Sequence, residues 1–376
     1  MTQQDIKLNV DEKLKNIEKF FIFKLFGAGY CNQLFSLETA IYLSNILKRK
    51  LILWVRFPLE HIGHSTWDYG NILDFFSDDY KQYLKYGFEV YYKTLPKQYE
   101  KIAWDKNTRQ ISDKGFSSMV FVDKQFYLRD NMLDIENFAR KREIICIDWD
   151  NDFNEQYIFT NKSNASRCFY NFYTTKENYL LMENICESLT KYNSAIINAI
   201  KNIKFDSIFN AIHFRFGDPN DPITRLEVSK YNYYEDQFVK NISNNDPLII
   251  MTDRKNTPLL NNIEDKFKII YIEDLISDVN IDCSHNNAVW EFLILMEICS
   301  KAEIFYGTNK STVSNYIQYL RYLKNKSAVH YFNNPANLNI CIKTNKNYPW
   351  IECNYPWHGH SIAWNVFWGT RKDWNI

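Results

Sequence analysis

No charge of one sign predominates in this 376-residue chain: 45 Lys and Arg residues are matched by 45 Asp and Glu. A balanced chain sets up no global field for nucleic acid or an anionic membrane, so any phosphate chemistry must rest on local groups. The chain also lacks a C-x-x-C pair. Its cysteines (Cys31, Cys146, Cys168, Cys186, Cys283, Cys299, Cys341 and Cys353) are scattered, which argues against a zinc ribbon or a thioredoxin-like centre and leaves reduced, mostly buried thiols. No apolar run reaches transmembrane length. The opening MTQQDIKLNVDEKLKNIEK is too charged for a signal peptide, and the FFIFKLF that follows is short and broken by Lys24. A cytoplasmic protein with no integral membrane segment and no nucleic-acid partner is the expectation. The Asn-x-Ser triplets at Asn161 and Asn309 read as products of an Asn- and Lys-rich composition.

What is present is enough apolar side chain, 45% of the total, to bury a substantial core in a chain longer than one usual domain. Phe20 to Phe26 reads as a buried strand, GAGYCN as a tight turn, Gln33 to Leu47 as an amphipathic helix and Leu51 to Val55 as the next strand. Strand, glycine turn, helix and strand in that order favour a parallel α/β sheet. The stretch from Pro58 to Arg142 reads as irregular, with short helical patterns such as Ile72 to Leu84, and as acceptor-facing insertions. Ile144 to Trp149 reads as a strand and Thr175 to Ile203 as one or two long helices. From Ser207 the rhythm returns. Strands are predicted at Ile208 to Phe214, Pro247 to Thr252, Lys268 to Ile272, Ile304 to Tyr306 and Ala328 to Phe332, with helices at Tyr231 to Ile242, Asn287 to Lys301 and Thr312 to Leu323. The economical architecture is α/β with two Rossmann-like domains facing a cleft. They are expected at residues 1–204 and 205–340, with an aromatic tail over 341–376 whose Trp350, Trp357, Trp364, Trp368 and Trp374 pack back across the domains.

Three segments carry polar groups suited to an anion. The first is Phe26 to Gln33, FGAGYCNQ, whose glycines let a backbone approach a ligand at the start of a helix, where free N–H groups favour negative charge. It fits only part of G-x-G-x-x-G, because Asn32 holds the third glycine position, and a simple helix-capping turn explains it equally well. The second is Ala211 to Asp218, AIHFRFGD. Alternation places His213 and Arg215 on one face of a strand end, where open α/β sheets bind ligands, and an Arg fork suits a diphosphate. The competing reading is an Arg215 to Asp218 ion pair that shapes a turn beside a satisfied core histidine. The third is Ala302 to Asn315, AEIFYGTNKSTVSN, a strand, a hydroxyl-rich turn and a helix. Ser311, Thr312 and Ser314 can cap that helix, or the same groups can receive phosphate oxygens, and the Walker spacing is absent.

In their order and spacing these segments resemble the fucosyltransferase superfamily, which includes the protein O-fucosyltransferases and the α1,2- and α1,6-fucosyltransferases. That family carries a G-x-G-N-[NQ] turn, an H-x-R-x-G-D strand end and a G-[ST]-x-x-S-[ST] turn around GDP-fucose. Ile249 to Asp253 looks like its strand ending in Thr-Asp. Phe216 stands where some branches have a second Arg, and Tyr30-Cys31 where some have Gly or Phe. The resemblance implies a GT-B fold and an inverting, metal-independent transfer of fucose from GDP-fucose to a hydroxyl of a glycan or protein. Under it, Arg215 grips the β-phosphate with His213 beside it, and Ser311, Thr312 and the backbone of Val313 hold phosphate oxygens. Gly29 and Asn32 close over the pyrophosphate, while Asp218 and Asp253 belong to the donor site or its loops. No cofactor is implied. His358 and His360 lack a third ligand nearby and read as surface or packing residues. The general base is not assignable among Glu38, His61, His64 and Asp68. A catalytically silent glycan- or nucleotide-binding protein of the same fold is the alternative, and a nicotinamide oxidoreductase built on GAGYCN would leave HFRFGD unexplained.

Overall fold

Two runs of apolar residues, FFIFK and KLILWV, lie side by side as parallel strands at the centre of a first sheet. In a computed structural model, the structure describes residues 19–24, 30–55, 72–92, 116–118, 144–147, 176–203, 208–216, 238, 240–276, 287–308, 311–326 and 330–332. The chain divides into two units, Met1–His61 with Asp78–Leu189, and Ile62–Ser77 with Thr190–Ile376. The predicted helix from Tyr231 to Ile242 lies largely outside the described residues, and the tail lies wholly outside them.

The first unit contains β1 (Phe20–Lys24), β2 (Lys50–Val55), β3 (Phe88–Tyr92), β4 (Phe116–Ser118) and β5 (Ile144–Ile147), paired in parallel in the order β3-β2-β1-β5-β4. Leu51 to Val55 are all buried, the continuous apolar pattern of a strand covered on both faces. Helix α1 spans Tyr30–Leu47 and starts three residues earlier than the glycine turn predicts, so Tyr30, Cys31 and Asn32 form its first turn. It is apolar nearly all round, as a helix enclosed in a core must be. Helix α2 (Lys176–Ser188) packs against it. The stretch read as irregular contributes β3 and β4, and its helical pattern resolves into two 3-10 turns, Ile72–Phe75 and Asp78–Tyr83.

The second unit contains helix α3 (Ser194–Asn202), capped by the Asn193 side chain on the Ile196 N–H at 3.0 Å, and the strands β6 (Asn210–Phe214) and β7 (Leu248–Thr252). Helix α4 (Pro258–Glu264) follows, with Thr257 as its cap and Pro258 in its first turn; the sequence reading passed over it. Then come β8 (Ile269–Tyr271), the short α5 (Ile272–Ile276), α6 (Asn287–Lys301), β9 (Phe305–Thr308), α7 (Thr312–Leu323) and β10 (His330–Phe332). The parallel sheet runs β10-β9-β6-β7-β8. The chain therefore starts at the centre with β6, moves outward through β7 and β8, and returns to the other side of β6 with β9 and β10. The reversal falls between β6 and β9.

Arg321 of α7 fixes that return. Its fully buried guanidinium donates to the carbonyls of Ala302 at 2.6 Å and Glu303 at 3.0 Å, satisfying the exposed end of α6 just before β9. Beneath the sheet, Ile212, Phe214, Phe216, Phe238, Leu248, Ile250, Leu259, Ile263 and Tyr306 share one apolar cluster.

Candidate functional site

The side-chain period of two decides what the end of β6 presents. Ile212, Phe214 and Phe216 all enter the apolar cluster, and the rings of Phe214 and Phe216 stack with centroids 5.8 Å apart. His213 and Arg215 are thereby turned to the opposite side. Phe216 is 5% exposed, so this position belongs to the core and contributes packing rather than a second cation.

At this point β6 leaves β9. Its pairing with β7 runs the full strand, from Asn210 opposite Leu248 to Phe214 opposite Thr252, whereas pairing with β9 stops at Ile212 opposite Tyr306. The Thr308 hydroxyl takes over where the ladder ends. It donates to the His213 carbonyl at 2.8 Å and accepts the Arg215 N–H at 2.9 Å. One side chain thus satisfies two backbone groups that would otherwise be lost on parting the strands. Such a parting, at the carboxyl ends of two strands where strand order reverses, is where open α/β sheets receive ligands.

Arg215 is held from the β7 side. Its guanidinium forms an ion pair with one oxygen of Asp253, whose other oxygen accepts the Phe216 N–H at 2.9 Å. The two side chains are 22% and 23% exposed, shielded enough for the pair to order the arginine. Asp253 therefore shapes the loop and orients Arg215, while Asp218 lies outside the described residues.

His213 is 4% exposed, and its Nδ1 lies 2.7 Å from the Ser314 hydroxyl on α7. Burial pushes its pKa down to about 4; the Asp253 charge pulls it up in part and the Arg215 charge lowers it further. The imidazole is neutral at pH 7. Ser314 also accepts the Thr308 N–H at 3.0 Å, so it links α7 to both strands and does not cap its own helix. At the start of α7, the Ser311 carbonyl accepts the Asn315 N–H at 3.0 Å, and Ser311, Thr312 and Val313 are partly exposed.

The structure thus brings His213, Arg215 and Asp253 together with Thr308 and Ser314, and sets Ser311, Thr312 and Val313 directly ahead of Ser314 on α7. Thr308 is absent from the groups the sequence singles out, and Ser314 stands there as a helix cap or a phosphate ligand rather than as the partner of His213. The signal for both was a buried histidine and a strand-end arginine that needed inward-facing partners. Gly29 lies outside the described residues; Asn32 sits in the first turn of α1. Gln33 is 1% exposed, a core residue rather than a group offered to a phosphate. Glu38 is fully buried inside the first unit, which argues against its meeting an acceptor hydroxyl, whereas His61, His64 and Asp68 lie outside the described residues. Among the described residues, no three His, Cys, Asp or Glu side chains are grouped to hold a metal ion, and no helix is long and apolar enough to cross a membrane.

No protein-family model matches the chain, and no curated protein matches it by sequence. Solved structures do match it. A mutant of Arabidopsis thaliana FUT1 in complex with GDP is 11% identical with a TM-score of 0.45, over 81% of this chain and 68% of that one. The fucosyltransferase NodZ from Bradyrhizobium is 14% identical with a TM-score of 0.44, over 85% and 97%. POFUT1 in complex with GDP is 11% identical with a TM-score of 0.42, over 85% and 99%.

Proposed function

We propose that this protein is a glycosyltransferase that moves fucose from GDP-fucose to a hydroxyl of a glycan or protein, with inversion and without a metal ion. The observation that carries the reading is the placement of Arg215 at the parting of β6 and β9, oriented by Asp253 and followed across the gap by the start of α7. The three ordered motifs GAGYCNQ, HFRFGD and GTNKSTVSN support it from the sequence. In this reading two Rossmann-like domains, residues 1–204 and 205–340, face a cleft, and the aromatic tail over 341–376 packs across them in a cytoplasmic enzyme. Ser311, Thr312 and the Val313 N–H bind phosphate oxygens at the helix N-terminus, where backbone donors and the helix dipole favour an anion. Gly29 and Asn32 approach the diphosphate from the first domain, and Asp218 completes the loop after Arg215.

The chemistry follows from charge. As the acceptor oxygen attacks the anomeric carbon, the bond to the β-phosphate breaks and negative charge gathers on the departing GDP. A fixed, permanently charged guanidinium stabilises that charge more in the transition state than in the ground state. Loss of one such group lowers kcat about 10²- to 10³-fold. The acceptor proton leaves to a carboxylate or to the departing phosphate.

The test is incubation with a panel of sugar nucleotides, with and without EDTA, following binding and slow donor hydrolysis. GDP-fucose is expected to bind and to be hydrolysed in both conditions. Turnover of a different donor alone would sink the fucose assignment, and an Arg215→Ala variant with undiminished turnover would remove the mechanism. GDP binding with no transfer to any acceptor on a glycan and protein array would instead identify a silent binding protein.

A further inference from the structure

The protons between Thr308, Ser314 and His213 can be counted. The Thr308 N–H donates to Ser314 Oγ at 3.0 Å, and Ser314 Oγ lies 2.7 Å from His213 Nδ1. Ser314 is 0% exposed and carries one hydroxyl proton, whose sole acceptor among the described residues is Nδ1. If Nδ1 were protonated, Ser314 would accept two hydrogens and its own would be stranded as a buried unsatisfied donor. The arrangement is therefore directional, from the Thr308 amide to Ser314 and from the Ser314 hydroxyl to the imidazole.

We infer that Ser314, oriented by the Thr308 amide, is a positioning residue that holds His213 as the neutral tautomer with its proton on Nε2, making the ring a hydrogen-bond donor to a diphosphate oxygen. The tautomer stands on the hydrogen-bond geometry alone, and its use toward a diphosphate rests on the proposed donor site. Among the described residues the ring's hydrogen bond is made through Nδ1, which leaves Nε2 as the atom that would donate to a ligand. The groups around His213 are Ser314 from α7 on the ring, Thr308 from β9 on the backbone carbonyl, and the charges of Asp253 after β7 and Arg215 on its own strand end. Burial outweighs both charges and keeps the ring neutral well below pH 7. A neutral donor differs from a cation here. It adds direction without a second full charge, and it cannot serve as a general base through Nδ1, whose lone pair is already occupied.

The experiment is imidazole nitrogen NMR on the uniformly labelled, ligand-free protein at pH 7, with the His213 signals identified by their loss in His213→Gln. The expected spectrum has Nδ1 bare and Nε2 protonated. Ser314→Ala should release the ring into a mixture of tautomers and raise the Kd for GDP about 3- to 10-fold, as loss of one directed hydrogen bond predicts. Ser314→Thr should retain both the spectrum and the affinity, which a merely structural role for the serine would not require. A protonated Nδ1 in the wild-type protein, or a tautomer unmoved by Ser314→Ala in a variant that still folds, overturns the inference. If the tautomer is as stated but GDP does not bind the wild-type protein, the donor-site reading and the diphosphate role fall together, while the assignment of Ser314 as the tautomer-setting residue is upheld.

Discussion

Glu38 in the first unit and His213 in the second are both closed off from water, at 0% and 4% exposure, yet their surroundings differ in kind. His213 has a hydroxyl partner that is itself tied to a backbone amide, and its strand end is held by Thr308 and Asp253. Among the described residues neither carboxyl oxygen of Glu38 has a hydrogen-bond partner by ordinary geometry. The buried thiols of Cys31 and Cys186 lie in its field, and the Cys186 thiol, a weak donor, offsets only a little of the burial that pushes the Glu38 pKa up to about 8. The polar groups around His213 sit where β6 parts from β9 and are tied to one another by hydrogen bonds. That of the first unit is enclosed in packing between α1 and α2 and is tolerated mainly as a neutral acid. Burial of an ionisable group therefore does not by itself mark a site; what sets His213 apart is a directed network at a parting of strands.

The sharpest way to break this contrast is to remove Glu38. Its folded pKa of about 8 lies above the unfolded carboxyl value, so the native state binds the extra proton between those two limits. The stability it permits is full below about pH 4 and is lost as pH rises through 8. Glu38→Met, apolar and close in volume, should flatten that slope and raise stability at pH 8 by about 4 kcal/mol, read by urea unfolding across pH. A variant with an unchanged slope would show that Glu38 is not the strained group. His213 should act with the opposite sign. Its folded pKa of about 4 lies below the unfolded value, so stability is unaffected above about pH 6.5 and falls as the pH drops toward 4. In that window His213→Gln should remove about 3 kcal/mol of acid-dependent loss, whatever its fixed cost at neutral pH.

A smaller effect probes the network itself. Thr308→Val keeps the side-chain shape but strands the Arg215 N–H and the His213 carbonyl. A loss of about 2 kcal/mol in stability and weaker GDP binding are expected, with both restored in Thr308→Ser. Equal behaviour of the valine and serine variants in unfolding and in GDP titration would mean that the hydroxyl does not stitch the parted strands.

The difference between the units also explains how much of them could be read in advance. β2, β6 and β7 are buried runs of apolar residues, and α6 and α7 have clear helical periods, so their chemistry and their fold speak with one voice. His213 and Arg215 were legible as a pair because strand alternation alone puts them on one face. The hydroxyls of GTNKSTVSN were not separable. Which one turns inward depends on the phase of α7 and on where β9 parts from β6, and both are tertiary facts. In the first unit, glycines pulled the predicted turn into residues that the enclosed α1 takes as its first turn. β3 was passed over because FEVYY is only half-buried, with Glu89 paired to Lys50 at 2.6 Å.

That strand supplies the mildest test, one that sets a pH-independent loss beside the pH-dependent one in the same unit. Gly87 precedes β3 with φ +95°, donates to the Leu84 carbonyl at 3.1 Å and accepts the Leu51 N–H at 3.0 Å, so it turns the chain and starts the β2–β3 pairing together. An added Cβ would stand 3.2 Å from Lys50 Cγ, the middle of a flexible side chain that can give way; the backbone angle cannot. Gly87→Ala should therefore cost about 1 kcal/mol. Unlike Glu38→Met, it should shift the unfolding midpoint by the same amount at pH 5 and pH 8, since it moves no proton between the folded and unfolded states. A loss that changed between those two pH values would mean that the Gly87 turn and the buried carboxyl are coupled, and that the strain around Glu38 reaches across the first sheet to its edge.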